Sequence, residues 1–261
     1  MMRLDLFLTG FGYTESRTQA RKLIEQGAVL LDGCPAQKAS LVIDESAPPC
    51  VEIAKRERYV GRGGLKLERA LKVFKIDAYG LCALDVGAST GGFTDCLLQH
   101  GAAMVYAVDA GEGQLAPSLL ADARVVNMEK YNARRLSIQD FPQRPQLAVM
   151  DVSFISQELI LPALSGLLSE GAVLVSLIKP QFEAGRAAVG KKGIVKSAAD
   201  RQRAIERVLD AAETCGFGCF GLDISPVLGG DGNVEYLAAF RKGGVSCVDR
   251  SSCARLAERR E

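Results

Sequence analysis

The feature that most constrains the fold is the stretch Leu84 to Thr94, which reads Leu-Asp-Val-Gly-Ala-Ser-Thr-Gly-Gly-Phe-Thr. An apolar run over residues 81–86 contains the acid Asp85, and a glycine-rich turn follows it before an amphipathic stretch begins at Phe93. This order is typical of the first parallel strand of an α/β sheet, a tight loop and a crossover helix. The loop glycines allow the backbone to approach a ligand, and the N-terminus of the helix offers N–H groups to an anion.

The spacing of these glycines narrows the choice of ligand. It is G-x-x-x-G-G and differs from the G-x-G-x-x-G of dinucleotide sites, so NAD is the less favoured ligand. Taken alone, the loop also fits an ordinary turn between a strand and a helix.

Composition sets limits on the remaining possibilities. The chain has 261 residues, of which 48% are hydrophobic, enough for one large α/β domain and a small module. The net charge is +1, so a surface for nucleic acid would have to be local. No apolar stretch reaches the roughly 18–20 residues that span a bilayer, and the first residues lack a leader pattern, so we expect a cytoplasmic protein. The eight cysteines form no C-x-x-C pair and His100 is the single histidine, so we expect reduced thiols and no metal site.

The first 54 residues predict a small α+β domain. Helices are expected over residues 2–10 and from Ser16 to Gly27, followed by a strand over residues 29–31 and a turn at Asp32-Gly33. Arg17 and Arg21 are one helical turn apart and share a face, with Lys22 beside them. A solvated surface is the alternative interpretation of three such charges.

Residues 55–63 predict a basic linker that continues the positive surface through Arg58 and Arg62. From residue 64 onward, apolar runs alternate with helical periodicity, which predicts a doubly wound α/β sheet whose last strand is antiparallel. Helices are expected over residues 64–75, 159–168 and 198–214. Strands are expected over residues 81–86, 104–108, 125–126, 147–150, 173–178, 219–224 and 234–240.

Polar side chains follow the strands of this sheet, and open α/β sheets bind their ligands at that edge. The candidates are Asp85, Asp109, Asp151 and Lys179, with Glu235 at the start of the last strand and Lys66 on the leading helix. Asp109 lies about 20 residues after the glycine loop, where an acid can accept hydrogen bonds from ribose hydroxyls. Two lysines and two acids in one cleft indicate proton abstraction, because a lysine beside a second cation loses its proton more readily. Separate surface ion pairs are the alternative.

Two resemblances add to this interpretation. R-L-D-x-F-L followed by S-R-x-x-A-R-K-L-I-E-x-G-A-V-L-L-D-G, within residues 2–50, resembles the S4-type RNA-binding domain. That resemblance implies that the helix with Arg17, Arg21 and Lys22 contacts the RNA backbone. Over residues 57–241, the motifs R-G-G-x-K-L, A-L-D-V-G-A-S-T-G-G-F-T-D, D-V-S-F-I-S, I-K-P-Q-F-E and G-N-x-E-Y-L resemble FtsJ-like ribosomal RNA methyltransferases. Together the two parts resemble the hemolysin A (TlyA) family of ribosomal RNA cytidine 2′-O-methyltransferases.

The second resemblance implies a Rossmann-like sheet of seven strands over residues 64–242, with S-adenosylmethionine as methyl donor and ribosomal RNA or ribosomal subunits as partner. It implies a catalytic tetrad of Lys66, Asp151, Lys179 and Glu235, with Lys179 as the base that Asp151 orients. Lys66 and Glu235 would position the ribose. The residues implied to bind the donor are Gly87, Ala88, Ser89, Gly91, Gly92, Phe93, Asp85 and Asp151, with Asp109 on the ribose and Met128 and Glu129 near the adenosine.

The chain departs from the family pattern at three places. Gly61 stands where serine is common, Glu112 stands where an aromatic residue is frequent, and residues 243–261 match no pattern and are expected to be disordered. Amino-group methylation is disfavoured because no N-P-P-Y follows the fourth strand, and carbon methylation because no cysteine stands there. A non-catalytic RNA-binding assembly factor and a hemolysin that acts on membranes are the remaining alternatives.

Overall fold

The computed structural model describes residues 1–25, 27–53, 58–230 and 232–259, and the chain divides into two compact units, Met1–Arg58 and Tyr59–Glu261. Of the basic linker expected over residues 55–63, residues 55–57 lie outside the described part of the chain.

The first unit is the small α+β domain that the sequence predicts. Its strands form an antiparallel pair, β1–β4, and a three-stranded antiparallel sheet in the order β3-β2-β5. Its core is made by apolar side chains of both helices, among them Leu4, Phe7 and Ile24. The elements are β1 (Met2–Arg3), α1 (Leu4–Gly10), α2 (Arg17–Glu25), β2 (Val29–Leu31), β3 (Cys34–Pro35), β4 (Val42–Ile43) and β5 (Val51–Ile53).

Two details of this unit bear on the sequence predictions. The first helix begins at Leu4 and not at Met2, because Met2 and Arg3 pair with β4 instead. The turn at Asp32-Gly33 joins β2 and β3, and both residues have positive φ, 50° and 79°, as a two-residue hairpin of type I′ requires.

The second unit contains the α/β sheet. Its elements are α3 (Gly63–Phe74), β6 (Cys82–Val86), α4 (Gly92–Gln99), β7 (Met104–Val108), α5 (Pro117–Leu120), β8 (Val125–Met128), β9 (Leu147–Met150), α6 (Leu161–Leu167), β10 (Val173–Ile178), α7 (Pro180–Glu183), α8 (Ala198–Thr214), β11 (Phe217–Ile224), β12 (Tyr236–Lys242) and α9 (Ser251–Glu258). The described strands form one seven-stranded sheet in the order β11-β12-β10-β9-β6-β7-β8.

β12 is antiparallel to both of its neighbours, β10 and β11, and the remaining neighbouring strands pair in parallel, which confirms the predicted architecture. The parallel strands are buried on both faces, so they consist of nearly continuous apolar runs such as Leu147–Met150. Two apolar clusters cover the two faces of the sheet. From β6 the chain extends the sheet on one side through β7 and β8, and then returns to place β9 on the other side of β6. Open α/β sheets bind their ligands in the crevice at such a switch point.

The expectation that residues 243–261 are disordered is wrong for the described part of that segment. Residues 251–258 form α9, in which Cys253, Leu256 and Ala257 are buried. These three positions have the i, i+3, i+4 spacing of an apolar helix face, and that face packs against α8. The buried guanidinium of Arg201 donates to the Ala257 carbonyl and so fixes the end of the helix.

Candidate active site

Strand register brings three of the predicted site residues to one edge of the sheet. Ile178, the last residue of β10, pairs with Tyr236, the first residue of β12, so Lys179 and Glu235 emerge next to each other. β9 lies on the other side of β10, and Asp151 follows its last residue. Because β9 and β10 are parallel, their carboxyl ends meet at the same edge.

Lys179 and Asp151 form an ion pair at this edge. The Lys179 Nζ lies 2.5 Å from Asp151 Oδ1 and donates a hydrogen bond to Ser153 Oγ at 2.8 Å. Both side chains remain in contact with solvent, with 11% of the Lys179 side chain and 19% of the Asp151 side chain exposed. Two fixed contacts hold the nitrogen in place, while its partial exposure leaves it within reach of a ligand.

Lys66 and Glu235 form a second ion pair, which is more deeply buried. The Lys66 Nζ donates to Glu235 Oε2 at 2.5 Å across 169 residues of sequence. Burial raises the pKa of the Glu235 carboxyl, and the nearby charges of Lys66 and Lys179 oppose that rise. Because the carboxylate is buried, the ammonium groups of Lys66 and Lys179 beside it are what favour its charged form.

Both pairs contribute at least one side chain to the wall of a cavity of about 270 Å³. Lys66, Asp151 and Lys179 line it, together with the exposed Arg62 and the glycine loop. A second cavity of about 430 Å³ contains Asp109 in its wall. The two cavities share Gly87, Ser89, Asp151 and Ser153, so they are parts of one cleft of the size that takes drug-sized ligands.

The glycine loop forms the floor between these cavities. Gly87 and Gly91 have φ of 85° and 94°, which side chains rarely adopt. A Cβ on Gly87 would also lie 2.5 Å from the Asp151 carbonyl oxygen, so only glycine lets the loop pass this close to β9. The Asp109 carboxylate accepts hydrogen bonds from the N–H groups of Ser89 at 2.8 Å and Gly111 at 2.7 Å, which ties the end of β7 to the loop.

Ala88, Gly92 and Phe93 line the first cavity together with Gly87, Ser89 and Thr90, whereas Gly91 and Asp85 line neither of these two cavities. Asp85 is fully buried behind the loop, where it accepts a hydrogen bond from the Thr94 hydroxyl at 2.7 Å. Its Oδ1 has no hydrogen-bond partner within the described residues, and burial raises the pKa of the carboxyl to about 7. The structure therefore assigns Asp85 to the support of the loop, with one polar atom unsatisfied.

Two further predicted residues stand outside these cavities. Met128 packs against the core beneath the sheet edge. Glu129 accepts hydrogen bonds from the backbone of residues 113–115, chiefly Gly113, and these lower the pKa of its carboxyl. Glu129 thus holds the segment after β7, and the sequence position alone could not distinguish that role from contact with a nucleoside.

The structure adds residues that the sequence analysis missed. Phe154 lies at the mouth of the cleft with 91% of its surface exposed, in a left-handed conformation with φ of 63°. Its ring packs against Phe182 at 5.1 Å. An exposed phenylalanine with φ in the left-handed region is uncommon, which makes Phe154 a candidate contact for a ligand. The motif D-V-S-F contained the signal, since an aromatic residue directly follows the predicted strand-end acid.

The two substitutions relative to the family pattern have local explanations. A Cβ on Gly61 would lie 2.8 Å from Thr90 Oγ1, so a side chain here would displace the Thr90 hydroxyl, which itself lines the first cavity. Glu112 pairs with Lys130 at 2.6 Å on the surface, with both side chains about two-thirds exposed.

In the first unit, the arginines of the predicted basic face surround a buried aspartate, Asp5. The side chains of Arg3, Arg17 and Arg21 each lie 3.0 Å from the fully buried Asp5 carboxylate. Hydrogen bonds from these arginines, led by Arg3, hold the pKa of Asp5 well below its usual range. The three guanidinium groups are about half-exposed, so they present a fixed positive surface to solvent; Lys22 and Arg58 are also exposed.

Comparison with known proteins agrees with this architecture. Residues 59–242 match the family described as FtsJ-like methyltransferase, and residues 2–47 match the S4 domain. The chain belongs to the FtsJ-like methyltransferase family. Its first unit is an S4 domain.

Several relatives match over most of this chain. The protein is 44% identical to the 16S/23S rRNA (cytidine-2′-O)-methyltransferase TlyA of Mycobacterium tuberculosis, over 92% of this chain and 89% of the relative. It is 42% identical to Hemolysin A of Brachyspira hyodysenteriae, over 92% of this chain and 99% of that protein. The structure of a hemolysin-named protein from Streptococcus thermophilus matches with a TM-score of 0.77 and 42% identity, covering 98% of this chain and 94% of the other.

Among the described helices, none combines the length and the apolar character that crossing a membrane requires.

Proposed function

We propose that this FtsJ-like methyltransferase transfers the methyl group of S-adenosylmethionine to a ribose 2′-hydroxyl in ribosomal RNA, at a cytidine. The observation that carries the proposal is the two ion pairs at one sheet edge, Lys179–Asp151 and Lys66–Glu235, of which Lys179, Asp151 and Lys66 line one cavity beside the glycine loop. The activity in the name of the TlyA relative supports the cytidine and the ribosomal substrate. A ribosomal substrate implies that the reaction takes place in the cytoplasm.

The cleft fits S-adenosylmethionine in three respects. Its size suits a ligand of that class. Its floor is the glycine loop, where Gly87 leaves no room for a Cβ and keeps the backbone open to a ligand. The Asp109 carboxylate in its wall can accept hydrogen bonds from hydroxyl groups. Gly87, Ser89 and Asp109 would therefore hold the cofactor, and Asp85 would support the loop from beneath through its hydrogen bond from Thr94. When bound, the cofactor supplies a methyl group that its sulfonium charge has already activated.

The protein must then place the ribose and remove the 2′-hydroxyl proton. Lys179 is the proposed base: its uncharged form would take the proton on Nζ, and Asp151 and Ser153 aim that nitrogen into the cavity. The Asp151 carboxylate stabilises the ammonium group as it forms. Lys66 and Glu235, held together at 2.5 Å, would donate to and accept from the neighbouring ribose oxygens and fix the sugar for in-line attack.

The RNA would be held by surfaces of both units. The arginine cluster around Asp5 suits contact with phosphates, because its guanidinium groups are fixed before binding. Phe154 offers an exposed ring at the mouth of the cleft for stacking with a base. Arg62, at the edge of the catalytic cavity, suits the phosphate next to the methylated nucleotide.

The test is incubation of the protein with isolated ribosomal subunits and S-adenosylmethionine labelled in the methyl group, followed by digestion of the RNA to nucleosides and mass spectrometry. We expect 2′-O-methylcytidine. Label on a base, or no transfer to either subunit or to naked ribosomal RNA, would contradict the proposal.

A further inference from the structure

The motif I-K-P-Q-F-E ends in a glutamate whose side chain takes no part in the proposed chemistry. Glu183 is the last residue of α7, four positions after Lys179, and only 2% of its surface is exposed. Buried carboxylates are rare without a specific partner, since burial of the charge is costly. Here burial raises the pKa of the Glu183 carboxyl, and hydrogen bonds from Ser156 and Gln157 oppose that rise.

The partners of Glu183 lie on the other catalytic loop. Its Oε2 accepts a hydrogen bond from the Ser156 hydroxyl at 2.6 Å, and its Oε1 accepts one from the Gln157 backbone N–H at 2.9 Å. Ser156 is five residues beyond Asp151, in the segment that follows β9. Glu183 therefore connects the loop that carries Asp151 to the loop that carries Lys179, from behind the cavity.

A buried network continues from this connection into the sheet. The Gln157 side-chain amide donates to the Leu177 carbonyl at 2.8 Å and accepts from the Ser176 hydroxyl at 2.5 Å, so the loop after β9 is also fixed to β10. On the outer side, Arg207 of α8 donates to the Glu183 carbonyl and pairs with Glu158 at 2.8 Å. Every polar group of this network has a partner, which makes its geometry specific.

Three further contacts join described residues of the two loops. They are the Lys179–Asp151 ion pair, the Lys179–Ser153 hydrogen bond and the packing of Phe154 on Phe182. Each of them includes a residue that lines the cleft, whereas the Glu183 side chain is buried and lines neither of the two cavities of the cleft. The buried contacts are therefore the ones that can keep the loops in register throughout a reaction.

We propose that Glu183 is a positioning residue for methyl transfer: by binding Ser156 and Gln157 it holds Lys179 and Asp151 at the separation that the reaction needs. The inference rests on the proposed function, since it assigns Glu183 a role in the same site. It predicts that loss of the carboxylate lowers turnover more than it lowers cofactor binding, because the loop of Gly87 and Ser89 does not contact Glu183.

The experiment compares Glu183→Ala and Glu183→Gln with a control, Leu256→Ala. The control also removes buried contacts and so lowers stability, but its side chain belongs to α9 and not to either catalytic loop. We expect Glu183→Ala to lower kcat by about 100-fold, the effect of a small misplacement of reacting groups, while the cofactor Kd stays within about twofold. Glu183→Gln keeps the shape and at least one hydrogen bond, so it should lose less than about tenfold. Leu256→Ala, assayed well below its melting temperature, should keep kcat near that of the wild type.

Hydrogen exchange supplies a readout that needs no activity. Glu183→Ala should speed amide exchange in peptides over residues 151–159 and 178–186, and Leu256→Ala should not. A kcat for Glu183→Ala equal to that of the control, or unchanged exchange in both loops, would overturn the positioning role. Absence of methyl transfer by the wild-type protein would instead contradict the proposed function, and the exchange experiment would still decide whether Glu183 holds the loops.

Discussion

Replacement of Lys66 by methionine tests the electrostatics of the site. The substitution keeps most of the aliphatic length of the side chain and removes the charge that lies 2.5 Å from Glu235, a residue with 3% of its surface exposed. Removal of one partner from a buried ion pair costs about 3–5 kcal/mol, because the other charge is left uncompensated. We expect a loss of about 3 kcal/mol in the free energy of unfolding at pH 8.

The loss should depend on pH in a defined direction. The pKa of Glu235 is already raised by burial in the wild-type protein, and removal of Lys66 raises it further. A group whose folded pKa lies above its unfolded value adds stability below the unfolded pKa, and that stability disappears as the pH rises through the folded pKa. At pH 5 the Glu235 carboxyl of the variant can take a proton, so the loss at pH 5 should be smaller than the loss at pH 8.

Urea unfolding followed by far-UV circular dichroism at the two pH values measures this difference. The double variant Lys66→Met/Glu235→Gln should recover most of the lost stability at pH 8, because it leaves no unpaired charge. Lys72→Met, an exposed lysine of the same helix, serves as the control and should change stability by no more than about 0.5 kcal/mol. An equal loss at both pH values, or a double variant no more stable than Lys66→Met, would show that the charge of Glu235 does not depend on Lys66.

Three further predictions concern other parts of the protein. Asp85→Asn should gain stability relative to the wild type as the pH rises from about 4 through about 7, by up to roughly 4 kcal/mol, because the raised pKa of Asp85 makes its ionisation costly. Unfolding curves at pH 5 and pH 8 measure this gain, and the same stability difference between the two proteins at both pH values would contradict it. Arg21→Ala should weaken RNA binding and reduce the slope of log K against log salt by about one, as filter binding over a salt series would show; an unchanged slope would exclude a phosphate contact. Phe154→Ala should raise the KM for RNA by about tenfold with little change in melting temperature, since one stacked base contributes about 1–3 kcal/mol; an unchanged KM would argue against stacking.

The sequence was sufficient to predict the sheet, because its signals are local. Continuous apolar runs indicate buried parallel strands, and the observed bounds agree to within a few residues, as for Leu147–Met150 and Val173–Ile178. The tail helix α9 could also have been predicted, since the spacing of Cys253, Leu256 and Ala257 is a helical one. The helix is short and charged residues flank it, so the pattern is weak in the sequence and becomes clear only with the partner helix α8.

The site could be predicted only in outline. Strand ends identify Asp151, Lys179 and Glu235 as neighbours, but which lysine pairs with which acid depends on the register of β10 with β12 and on the packing of α3. The supporting roles of Glu183, Asp85 and Glu129 rest on long-range hydrogen bonds that have no periodicity in the sequence. The same holds in part for Asp5, which contacts Arg17 and Arg21 of α2 as well as the neighbouring Arg3.

Lys179 has the central role in the proposed reaction, and a single-turnover measurement tests that role directly. Methyl transfer to ribosomal RNA is followed with labelled S-adenosylmethionine for the wild-type protein and for Lys179→Met, and calorimetry gives the cofactor Kd of both. We expect the rate to fall by about 100-fold or more, the contribution of a general base, with the Kd within about twofold. Transfer by Lys179→Met at the wild-type rate would contradict the assignment of the base and of the site built around it.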